Sequence, residues 1–269
     1  MQSVGWRGWF GAVLLLSGGA SGAAEPTAID VVQQCYYKNQ GKDQKTTLNI
    51  VIQDPERKGN SSEFLRMWKD YSQEPGDIEE KMVLYTTAPK ESRGINYMRW
   101  SYRSTIDKPP EQWVYLPELQ KTRRVSQRDP LDMSWGLTDE DFRVRLLDED
   151  THTLLKTEQE GGMTVYTVES HPKTESVYSR WVTRYVTPGA LADCYREEVK
   201  YYDKAEKLLK NVHYKWQRID DVWVWDTVTI ENNKTLTTVS YRTLKAAVNV
   251  GLSDKDFTER ELKRAQTSD

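Results

Sequence analysis

The feature that most constrains this chain is its hydrophobic period. From Thr46 to Ala247 apolar residues recur at every second position in short runs, and turn residues cut the runs at hairpin spacing. Period two belongs to a pleated strand, whose side chains alternate between faces. Thr46–Gln53 puts Leu48, Ile50 and Ile52 on one side, and Ser62–Tyr71 sets Phe64, Arg66 and Trp68 against Leu65, Met67 and Lys69. Pro55 with Gly59, Gly161-Gly162, Pro188-Gly189 and Asp220-Asp221 supply turns with the backbone freedom that tight reversals need. The pattern predicts a mainly β protein, a single curved antiparallel sheet of about ten or eleven short strands.

Several strands carry apolar residues on both parities. Val222, Val224, Val228 and Ile230 oppose Trp223 and Trp225, while Ile95 and Tyr97 oppose Met98, Trp100 and Tyr102. A sheet with one solvated face would place charge there. Two apolar faces fit a curved sheet that covers a helix, a ligand or both. The other reading is that Trp and Tyr decorate the outer face as cross-strand pairs. Helical spacing occurs before the strands, where Pro26 precedes Ile29, Val32, Cys35 and Tyr36, and Ser253 is placed to cap a short charged helix at the end.

Compartment is read from the N-terminus. Arg7, the apolar run Trp9–Leu16 and the small residues Ser17–Ala24 resemble a secretory signal peptide with cleavage near Ala23 or Ala24, leaving one domain over 25–269. In an exported chain, Cys35 and Cys194 either form one disulfide or stay as two partly buried thiols; the sequence leaves both open. The net charge of −3 offers no basic excess for a nucleic acid.

Catalytic and metal-binding patterns are absent from the sequence. His152, His171 and His213 stand apart with no metal-ligand spacing, and neither a nucleophile elbow nor a phosphate-binding glycine loop occurs. The carboxylates Glu140-Asp141 and Asp148–Asp150 read as solvated loop charge rather than a glycosidase pair. No enzyme activity, cofactor or metal is therefore expected. Lys121, Arg123 and Arg124 form a cationic run in the hairpin that follows Trp113–Leu116 and Pro117; it serves either an acidic partner or resistance to edge pairing.

Taken together, Gln112–Val125, Gly136 followed by Thr138–Phe142, Tyr201-Tyr202-Asp203 with Lys207–Lys210, Asp220–Trp225 and the ending Val250–Phe257 resemble, in order, the exported outer membrane lipoprotein-sorting proteins, the LolA-like group associated with RND-type exporters. The chain departs from that pattern at Ala205-Glu206, where a glycine is common. The resemblance implies an incomplete β-barrel with an N-terminal helix and short helices across its concave side. It also implies a periplasmic, monomeric carrier of lipid or lipoprotein acyl chains. Apolar-cavity candidates are Trp68, Met98, Trp100, Trp113, Tyr115, Trp181 and Trp223. Two rival readings remain: an accessory protein that docks on an RND-type inner-membrane exporter through Lys121, Arg123 and Arg124, and a secreted hydrolase, which would need convergent titratable groups.

Overall fold

The computed structural model describes residues 25–36, 38–55, 59–103, 105–106, 108–125 and 145–264. The signal-peptide reading, and the segment with Gly136 and Thr138–Phe142, lie outside the described residues.

Each period-two run becomes a strand: β1 (Asp43–Gln53), β2 (Asn60–Asp70), β3 (Ile78–Ala88), β4 (Asn96–Tyr102), β5 (Glu111–Leu116), β6 (Lys121–Val125), β7 (Asp150–Glu160), β8 (Met163–Pro172), β9 (Arg180–Thr187), β10 (Tyr195–Tyr202), β11 (Leu208–Ile219), β12 (Val222–Asn232) and β13 (Thr237–Val248). All lie in one thirteen-stranded sheet, more than the ten or eleven expected, because segments as short as β6 are full members of it. The order is β6-β5-β4-β3-β2-β1-β13-β12-β11-β10-β9-β8-β7. Two antiparallel meanders, β1–β6 and β7–β13, therefore join side by side where β1 pairs with β13. Strands β6 and β7 are the outermost strands and do not pair with each other, so the barrel is incomplete. Gly161 and Gly162, at φ 56° and 83°, give the mirror-image turn that a two-residue hairpin requires.

Register fixes which residues share a face. Val168, Thr183, Val199, Val212, Ile230, Val239 and Ile52 are successive cross-strand partners from β8 to β1. This row runs through the buried cluster of Leu48, Ile50, Phe64, Val212, Val228, Ile230 and Val239 and marks the inner face. Neighbouring residues of opposite parity, such as His213, Lys215 and Arg242, are exposed on the outer face.

Helix α1 (Ala28–Tyr36) starts at a reciprocal cap: the Asp30 N–H donates to Thr27 Oγ1 (3.2 Å) and the Thr27 N–H donates to Asp30 Oδ2 (2.9 Å). It packs Val31, Val32 and Cys35 on Tyr166, Val168 and Tyr185 of the inner face. Ile29, expected on the apolar stripe, is 55% exposed. The buried stripe is instead Ala28, Val31, Val32 and Cys35, which keeps the i, i+3, i+4, i+7 spacing after a small rotation. Cys35 is disulfide-bonded to Cys194, with their Cα atoms 4.8 Å apart.

The C-terminal segment crosses the other face. A 3₁₀ turn at Asp254–Phe257 and α2 (Glu259–Leu262) insert Phe257 and Leu262 among Leu65, Met67, Val83, Tyr85, Met98 and Trp113. Leu65 follows inner-face Phe64 in β2, so this second core belongs to the outer face. Helices across the concave side were expected; α1 lies on the inner face and α2 on the opposite one. The Asp43 carboxylate anchors the start of the segment, accepting from the backbone N–H groups of Val250 (2.7 Å), Gly251 (3.1 Å) and Leu252 (3.2 Å). Lys81 and the Tyr71 hydroxyl hold Asp254, and Asn96 Nδ2 donates to the Leu262 carbonyl at 2.8 Å.

Candidate ligand-binding site

Strands β10 and β11 are paired only from Glu198↔His213 to Tyr202↔Leu208. Beyond Glu198 they part. The cause is local: the β9–β10 register slips between Arg196 and Glu198, and the β11–β12 register slips between Lys215 and Trp216. Each irregularity adds twist and bends its strand away from its neighbour. The resulting cavity, about 310 Å³, is lined by Tyr195, Glu197, Tyr214, Lys215, Trp216 and Trp223. Ligand cavities begin at roughly 300 Å³. The Trp216 indole N–H donates to the Arg196 carbonyl at 2.7 Å, satisfying an oxygen the ladder leaves open.

Aromatic rings dominate this end of the sheet. Trp216 lies 6.2 Å from Trp223, 6.3 Å from Trp225 and 6.1 Å from Tyr214 between ring centres, and Tyr195 lies 5.7 Å from Trp223. Trp223 also walls a second, smaller space of about 30 Å³, with Gln44, Leu48, Arg66 and Trp225 among its lining. Both spaces therefore meet at one indole.

Charges of both signs border the split, Glu197 and Lys215 in its wall, and cations gather at the Trp223 ring. Lys38 and Arg218 each sit 5.4 Å from the Trp223 ring. Burial pushes the Lys38 ammonium below its usual range and Arg218 adds to that, while Asp193 opposes it. Arg196 lies 4.2 Å from the Tyr214 ring and 5.0 Å from that of Tyr36. Arg66 donates to Gln44 Oε1 at 3.2 Å; burial lowers its pKa to about 10, partly offset by Glu80.

The seven cavity candidates fall in three places. Trp68 and Trp181 point to the inner face: Trp68 donates to Glu80 at 2.7 Å and Trp181 packs on Tyr201 at 6.3 Å. Trp223 walls the split. Met98, Trp100, Trp113 and Tyr115 are brought together on the outer face under the C-terminal segment, with Trp100 and Trp113 at 5.1 Å. Lys121, Arg123 and Arg124 lie exposed on β6, where Arg124 pairs with Glu111.

Sequence reasoning missed Tyr195, Arg196, Tyr214, Trp216 and Trp225 as site residues. A signal existed, since a two-residue turn at Asp220-Asp221 sets Arg218 opposite Trp223 and Trp216 opposite Trp225. Chemistry of other kinds has little support. Asp150 is held by Arg145 Nε at 3.1 and 3.0 Å, and among the described residues no group of His, Cys, Asp or Glu is arranged to hold a metal.

The fold defines a LolA-like half-barrel. A DUF1329 family protein from Desulfovibrio piger superposes with a TM-score of 0.75 at 24% identity, over 87% of this chain and 97% of that one. A putative outer membrane lipoprotein-sorting protein domain from Vibrio parahaemolyticus gives 0.73 at 22%, over 88% and 98%. A LolA superfamily protein from Nitrosomonas europaea gives 0.62 at 16%, over 88% and 99%. No curated protein matches the chain. A family model described as "Uncharacterized protein" matches residues 79–264, and the chain belongs to that family.

Proposed function

We propose that the chain is a periplasmic carrier that binds lipid or lipoprotein acyl chains, and that it carries out no catalysis. The observation that supports this most is the aromatic-walled cavity between β10 and β11, on a LolA-like fold. An acyl chain laid against Trp216, Trp223 and Tyr214 would gain about 25 cal/mol for each Å² of apolar surface removed from water. The fold likeness to a putative outer membrane lipoprotein-sorting domain agrees with such cargo.

Native mass spectrometry of the exported protein, with lipid extraction of the same sample, tests the reading. Bound acyl lipid is expected, lost in Trp216→Asp and Trp223→Asp and retained in Trp113→Asp, whose site is on the outer face. A ligand-free mass, unchanged after incubation with phospholipid and acylated lipopeptide, would refute the carrier reading. It would transfer weight to a docking role for Lys121, Arg123 and Arg124.

A further inference from the structure

The split has two rims, the start of β10 and the β11–β12 hairpin. Past Glu198↔His213 they share no ladder, and past Thr227↔Arg242 β12 leaves β13 as well. Their spacing is therefore held by contacts other than sheet pairing. One bond crosses directly, from the Trp216 indole N–H to the Arg196 carbonyl at 2.7 Å. The other ties come from the chain that leaves α1. Cys35 is bonded to Cys194, the residue before Tyr195 of the cavity wall. Lys38 touches both rims: its Nζ donates to the Ala192 carbonyl at 2.9 Å and lies 5.4 Å from the Trp223 ring. Asn39 reaches the hairpin. Its carbonyl accepts from the Trp223 N–H at 2.8 Å, and its Nδ2 donates to the Asp221 carbonyl and carboxylate, each at 3.2 Å. A binding site keeps its shape only when the residues behind it are themselves held.

We propose that Cys35, Lys38 and Asn39 form a clasp that sets the width of the split, and so act as positioning residues for the cavity between β10 and β11. Cys35 holds the β10 rim, Asn39 holds the hairpin, and Lys38 joins the two. What the clasp does for cargo rests on the carrier reading above; the clasp itself does not. A width fixed before binding spares the ligand the cost of ordering the rims.

The Trp216 indole N–H is a built-in reporter, because its bond spans the split. Trp68, whose indole N–H donates to Glu80 at 2.7 Å on β3, is the control. The test is hydrogen exchange of both indole protons, followed by NMR in the exported protein without ligand. In Lys38→Met, Asn39→Ala and the Cys35→Ser, Cys194→Ser double variant, the Trp216 proton is expected to exchange at least about tenfold faster, with Trp68 within about twofold of wild type. Lys38→Arg keeps a donor and a cation for the indole face and is expected to retain the wild-type rate. Trp216 protection unchanged in every variant overturns the clasp. Trp216 and Trp68 accelerating together also overturns it, by showing a general loss of stability. Lys38→Met and Asn39→Ala keep the disulfide and decide even where the double variant fails to fold. Binding of the uncharged probe diphenylhexatriene is the second readout, expected to weaken about fivefold or more where Trp216 alone is released. Unchanged binding there overturns the positioning role. No binding by the wild type refutes the carrier reading, and the exchange rates still decide the clasp.

Discussion

Asp43 shows how much one carboxylate can organise. It is 4% exposed and receives three consecutive backbone N–H groups from Val250 to Leu252, fixing where the chain leaves β13 for the outer face. Asp43→Ala removes the acceptor and leaves those donors unpaired, so urea unfolding is expected to show a loss of about 3 kcal/mol. His152 sets a pH dependence. Its Nε2–H donates to the Leu147 carbonyl at 3.1 Å and its Nδ1 accepts from the Ser170 hydroxyl at 2.8 Å, so the neutral ring is the one that fits. Burial pushes its pKa below the usual 6.5, outweighing the Leu147 hydrogen bond. The unfolded chain thus takes up the proton first as pH falls. The His152 contribution is full above pH 6.5 and is lost as pH drops below it toward the lower folded value. Urea midpoints of wild type and His152→Gln measured between pH 7 and pH 5 are expected to converge; parallel curves would exclude the effect.

At the scale of elements, the disulfide fixes α1 to the loop before β10. Both sulfurs belong to side chains at most 1% exposed, and the bond spans a sequence separation of 159 residues. Closing a loop of that length stabilises by about 5 kcal/mol in the chain-entropy model. The Cys35→Ser, Cys194→Ser double variant is expected to lose much of that, measured against wild type under non-reducing denaturation. The elements themselves were legible in the sequence. Turn residues and period two delimited the strands, and the Gly161-Gly162 hairpin formed as its chemistry demands. What period two leaves out is which parity meets which helix. Met98 and Trp113 look like cavity residues by composition, yet their register places them under Phe257 and Leu262. The disulfide was an open choice, because pairing depends on Cα distances that only the fold supplies. Glu206, at φ 59°, takes the left-handed conformation that a glycine would adopt easily, and a side chain alone does not announce this. The split between β10 and β11 was invisible for a related reason: a slipped register is a property of two strands, not of either one.

For the whole molecule, the apolar cluster with Leu48, Phe64, Val228 and Ile230 runs across the seam between the two meanders. A core shared in this way makes the halves one cooperative unit. Unfolding followed by tryptophan fluorescence and by far-ultraviolet circular dichroism is expected to give one coincident transition. Ile230→Ala, at 3% exposure, is expected to shift that whole transition by about 3 kcal/mol rather than split it. Two resolved steps would show the meanders to be independent.

The seam also has a consequence for how the polypeptide comes into being. Synthesis runs from the N-terminus, so β1 can pair with β2 early, but its other partner is the last strand made. At on the order of 5–20 residues per second, the nascent chain spends ten seconds or more with that edge of β1 bare. An unpaired edge is a template for any other extended chain. A ribosome that stalls before Thr237–Val248 would release a fragment with that edge of β1 unpaired, whereas a completed chain closes that edge with its own final strand.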